Sequence, residues 1–163
     1  MNDHNSGGEM LRSAFVEEFQ FTYILASPPF SLEELHDLLA AVPTDPIPPR
    51  SLSPVLLDLR EIHLNRISEV DIRRHTMRKS ALDPRLTSLP VAYVVRDLED
   101  YSVVRMAIMF SELSQVSDEH RSLITQHLSE AVAWLAQLTG TGSKGGAPRL
   151  NEAQLRAHMQ TPG

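Results

Sequence analysis

The side chains that could carry chemistry are present but scattered. Seven histidines stand at His4, His36, His63, His75, His120, His127 and His158, with no H-E-x-x-H and no close pair at a spacing suited to zinc. Cysteine is absent, which removes disulfides, thiolate ligands and a cysteine nucleophile. No serine lies in G-x-S-x-G, and no serine, histidine and acid can be grouped into a triad by spacing. Asp97, Glu99 and Asp100 could hold a hard cation, but carboxylates at a helix start also offset the dipole and fill caps. Gly140-Thr141-Gly142-Ser143-Lys144-Gly145 satisfies G-x-G-x-x-G; a phosphate-binding loop follows a strand and opens a helix, whereas this one follows a helix and runs into Gly146 and Pro148. No cofactor, no metal and no catalytic residues are expected, and the chain reads as a non-enzyme.

Charge gives a second set of candidates. The formal net charge is −6, which disfavours nucleic acid. Yet residues 66–85 hold six Lys/Arg against three Asp/Glu, a local +3. Arg73, Arg74, His75, Arg78 and Lys79 form one basic helix face, either a solvated surface or a site for an acidic partner or anionic ligand. Tyr101 and Arg105 are one helical turn apart, and either pack within the domain or line a cleft. Trp134 reads as core or a dimer contact.

The elements that must position these residues alternate. Phe19, Phe21, Tyr23 and Leu25 recur at period two, the mark of a half-buried strand, which Pro28 and Pro29 end. Ser31 with Glu34 reads as a helix cap, with Phe30 and Leu35 at the staple positions, and Leu32, Leu35, Leu38, Leu39 and Val42 make one apolar face. Five prolines between Val42 and Pro54 spell a loop. Val55 to Leu59 reads as a central strand. Ser68 with Asp71, flanked by Ile67 and Ile72, starts a helix expected to reach Asp83-Pro84. Val91 to Val95 is a third strand. The following helix, capped by Asp97 or Asp100, is expected to turn Val103, Met106, Ala107, Phe110 and Leu113 inward. Ser122 to Thr125 is a weaker strand, and Ser129 is expected to cap a last helix that ends at Gly140. Leu11 to Val16 offers an antiparallel edge strand.

The expected fold is therefore a single-domain α/β protein. It has a largely parallel sheet of four to five strands, with amphipathic helices packed mainly on one face. Residues 11–139 make the domain, 1–10 a disordered N-terminus, and 140–163 a mobile tail with a short helix of its own. Ligands of such sheets bind beyond the carboxyl ends of the strands, where Ser27, Arg60, Glu61, Arg96 and Asp97 would gather. The opening residues carry no basic, apolar signal and no run of about eighteen apolar residues occurs, so a cytoplasmic protein without a membrane span is expected.

The strings SLEELHDLL, VLLDLREI, VAYVVRDLEDYSVVRM and LSEAVAWL, in that order, resemble the STAS-like superfamily of bacterial anti-sigma-factor antagonists. Closer still are bacterial relatives of similar length whose third strand leads into a helix opening Tyr-Gly-x-x-Arg-Met. Tyr101, Arg105 and Met106 match that opening, with Ser102 in place of the glycine. The resemblance spans Phe19 to Leu138 and implies a sheet with helices on one side and a non-enzymatic, regulatory role in protein interaction. Laying Leu57-Asp58-Leu59 on the antagonists' Leu-Asp-Leu strand brings Ser68 to their phosphorylated serine, with Arg66, Ile67 and Glu69 replacing the motif's aspartate, first serine and glycine. Through the resemblance, Ser68 becomes a candidate phosphoacceptor, and Arg66, Arg73, Arg74, Arg78 and Lys79 candidate contacts to a protein partner; a homodimer is a further candidate association. The alternative is a small-molecule or lipid site on the rim formed by Arg60, Arg96, Tyr101 and Arg105.

Overall fold

The structure, a computed structural model, describes residues 11–41, 53–82, 89–113, 122–141, 153–155 and 157. Strands β1 (Leu11–Val16) and β2 (Phe21–Ala26) form an antiparallel hairpin in which Leu11 faces Ala26 and Val16 faces Phe21. Gln20 closes the turn in the left-handed region at φ 58°, its N–H donating to the Val16 carbonyl at 2.8 Å. From β2 onward every pairing is parallel: β2 to β3 (Val55–Asp58), β3 to β4 (Val91–Val94) and β4 to β5 (Ser122–Thr125). The spatial order β1-β2-β3-β4-β5 is the order of the chain.

This order dictates where the helices go. Each crossover advances one strand in the same direction, and right-handed crossovers then place α1 (Leu32–Ala41), α2 (Glu69–Lys79) and α3 (Leu98–Leu113) on one face. Ile24, Val55 and Leu57 meet Leu35 and Val104 there. The alternate side chains Phe21, Tyr23, Leu25, Leu56, Ala92 and Val94 point to the other face, where α4 (Leu128–Leu138) covers them with Leu128, Ala131, Val132 and Leu135. The expected architecture of an α/β sheet with helices mainly on one face is what the chain forms. Leu155, within the segment read from sequence as a mobile tail, is fully buried in this second layer.

Local signals explain most element ends. The Glu34 N–H donates to Ser31 Oγ at 3.2 Å, as the cap pattern requires. The α4 terminus closes in a Schellman turn, with Gly140 at φ 73° and the Thr141 N–H reaching the Ala136 carbonyl at 2.9 Å. The first glycine of the G-x-G-x-x-G string is thus a helix stop. Three expectations are corrected. Helix α2 ends at Lys79, short of Asp83, because residues 80–82 tighten into i to i−3 bonds. The residue before α4 is His127, without a side-chain cap, and Thr125 Oγ1 accepts from the His127 N–H at 3.0 Å, so Ser129 is not the cap. In α3, Val103 and Ala107 face inward as expected and Met106 and Phe110 are half-buried, but Leu113 is 78% exposed and the buried residues are Asp100, Val104 and Ser111. Most of the proline loop and residues 1–10 lie outside the described residues.

Candidate functional site

The rim at the carboxyl ends of the strands is built around Asp58, the last residue of β3 and only 1% exposed. Tyr23 donates its hydroxyl to Asp58 Oδ2 at 2.7 Å, and Arg60 clamps both oxygens through Nε at 2.9 Å and Nη2 at 2.8 Å. Burial alone would raise the Asp58 carboxyl; the bonds from Arg60 and Tyr23 and the Arg60 charge outweigh it and hold the group below its ordinary value. Arg60 is thereby engaged in holding a buried carboxylate. Arg96 lies against the His63 ring, with 3.0 Å between Nη1 and Nε2, and against Asp97 at 3.4 Å. Tyr101 packs against the core and Arg105 is exposed. Ser27 donates to Glu61 at 2.9 Å. The Asp97 carboxylate accepts from the Asp100 N–H at 2.9 Å and caps α3. Asp100 itself is fully buried in the first turn, where burial, then repulsion by Asp97, pushes its carboxyl up. Among the described residues no cluster of three or more His, Asp or Glu is arranged to hold a metal ion.

Ser68 and α2 form a second surface. Ser68 is exposed, and its Oγ accepts from the Asp71 N–H at 3.1 Å. Ser68→Ala is expected to cost about 1 kcal/mol in urea unfolding, while Ser68→Asp, which keeps a cap, stays near the parent. Arg73 pairs with Glu69 at 2.7 Å and Arg74 with Asp71 at 3.4 Å, all four well exposed, so these ion pairs add little stability but moderate the helix's positive field. The Arg73 guanidinium also sits 4.8 Å above the Phe110 ring of α3. Arg66 and Arg78 are exposed. Val70 and Met77 stand out between these charges at 63% and 71% exposure.

Lys79 departs from this basic face and turns inward. It lines a cavity of about 120 Å³ between the sheet and α1–α3, walled by Ile24, Leu35, Leu57, Ile72 and Val104 among others. His75 and Tyr93 line it too. Burial, followed by the charges of Lys79, His36 and Arg78, lowers His75 to about 4, so its ring is neutral at neutral pH. Its Nδ1 is buried without a hydrogen-bond partner among the described residues, and the His36 ring stands edge-on at 6.4 Å. Burial lowers Lys79 and raises the Tyr93 hydroxyl to about 12. None of the three belongs to a sequence motif. For His75 and Lys79 the signal is spacing, since with the buried Ile72 and Thr76 they fall at i, i+3, i+4 and i+7 and so share the inward face of α2.

Comparison with protein-family models, with curated proteins and with solved structures returns no match. No helix among the described residues is long and apolar enough to cross a membrane.

Proposed function

We propose that the chain is a STAS-like regulatory module that acts without catalysis, binding a protein partner through α2 and the loop leading into it. The observation that carries this reading is the outer face of α2, where the apolar side chains of Val70 and Met77, seven residues apart on one helix face, stand in water. They sit among Arg73, Arg74 and Arg78, so the surface suits a partner with apolar side chains ringed by carboxylates. The STAS-like reading is supported by the quoted strings and by three of the four long helices among the described residues sharing one sheet face. Phosphorylation of Ser68 would add negative charge at the α2 N-terminus beside Arg66, altering this surface without new structure.

The test is quantitative capture of partners from native cells by the tagged full chain. Val70→Asp/Met77→Asp and Arg73→Glu/Arg74→Glu/Arg78→Glu variants, with circular dichroism confirming the fold, are each expected to bind at least tenfold more weakly, about 1.4 kcal/mol. Undiminished capture by both variants would remove α2 as the surface. Concentration-dependent sedimentation lost in the same variants would identify the partner as a second copy of the chain.

A further inference from the structure

We infer that the cavity beneath α2 binds a small organic anion, a monocarboxylate whose compact apolar body fills the space between the sheet and α1–α3 and whose carboxylate meets Lys79 and His75. The inference stands independently of the partner surface, because the inner and outer faces of α2 present different residues.

The size of the space is the first argument. Protein interiors pack like organic crystals, and voids much larger than a water molecule are few. A cavity of about 120 Å³ approaches the volume at which apolar protein cavities take up benzene, which sets the apolar body at roughly five to seven carbons. Its walls come from α1, α2, α3 and three strands and are mostly aliphatic, as in ligand pockets generally.

The polar groups select the head. Thr76 and Ser111 line the space, but their hydroxyls donate to the carbonyls of their own helix, Ile72 at 3.0 Å and Ala107 at 3.2 Å. His75, Lys79 and Tyr93 remain, and all three can donate a hydrogen bond: a neutral imidazole with one N–H, an amine and an un-ionised phenol. Among the described residues, no Asp or Glu lines the cavity. An array of donors with a cation and no internal acid complements an acceptor of negative charge and repels a cation. Burial disfavours the charged form of Lys79, and a carboxylate in contact with it would offset that desolvation through a charge-assisted bond. Lys79 lies in the last turn of α2, and Val55 and Val91, the first residues of β3 and β4, line the same space. The proposed head group therefore sits toward the amino ends of the strands, opposite the rim.

The test is titration calorimetry of the full chain with hexanoate and benzoate, using hexan-1-ol and hexylamine as matched probes. Both carboxylates are expected to bind one per chain, the alcohol at least tenfold more weakly, and the amine not measurably. Lys79→Met, which keeps the apolar stem, is expected to weaken carboxylate binding at least tenfold and leave the alcohol unchanged. Ala107→Leu, which narrows the cavity with one added aliphatic side chain, is expected to weaken all probes alike. No binding of either carboxylate by the parent chain would overturn the site. Equal binding of hexanoate and hexan-1-ol, or carboxylate binding indifferent to Lys79→Met, would overturn the assignment of an anionic head.

Discussion

Stability measured by urea unfolding is expected to fall by about 3 kcal/mol between pH 6.5 and about pH 4 through His75. In the folded chain burial disfavours the charged ring, and the cations of Lys79 and Arg78 and the neighbouring His36 of α1 add to this; Tyr93 faces the same cavity from β4. The unfolded chain takes up the proton near 6.5 and the folded chain only near 4. The contribution is therefore complete above pH 6.5 and drains away as pH falls toward the folded value. His75→Gln, which cannot charge, is expected to lose this slope. An equal slope in the variant would mean that the ring is solvated and its proton is taken up alike in both states.

Arg60→Ala is expected to destabilise the fold by about 2–3 kcal/mol, because it strips the clamp from a carboxylate that is almost wholly buried. The figure sits below that for a fully buried pair since the Arg60 side chain is itself one-quarter exposed, at 25%. Asp58→Asn added to Arg60→Ala removes the stranded charge and is expected to recover most of the loss. In the parent, the folded-state value of Asp58 lies below the ordinary 3.8, so this stabilisation is present above that pH and lost as pH falls beneath it. A loss under 0.5 kcal/mol in Arg60→Ala, roughly the scale of an exposed ion pair, would show that Asp58 is solvated after all.

The strands and helix starts were legible because their signals are local. Period-two apolar residues placed β2, and Ser31 and Ser68 announced α1 and α2 through caps that form as bonds of 3.2 and 3.1 Å. The inward face of α3 was legible only in part, at Val103 and Ala107. Apolar residues surround that helix, with Val103, Val104, Met106, Ala107, Ile108, Met109 and Phe110 in near succession, so periodicity has little contrast. Two of its buried positions, Asp100 and Ser111, are polar and mask the true stripe. The rim residues could be named from strand ends, but the Asp58–Arg60–Tyr23 bonding depends on β2 and β3 lying side by side. The cavity was less visible still, since residues from Ile24 to Ser111 assemble it across seven segments, and only the α2 stripe of Ile72, His75, Thr76 and Lys79 has a readable spacing.

The strict agreement between chain order and spatial order bears on how the protein is made. As the polypeptide leaves the ribosome, each parallel strand after β2 finds its neighbour already synthesised, and the helix layer over α1–α3 closes in step with it. The opposite layer cannot keep pace. Phe21, Tyr23, Leu25, Leu56, Ala92 and Val94 wait for residues 128–138, and for Leu155 beyond them, so a half-made chain carries a bare aromatic and aliphatic sheet face. Chaperone attention and the risk of aggregation should peak in that interval, and a stop codon before the last helix should yield an insoluble product instead of a smaller working one.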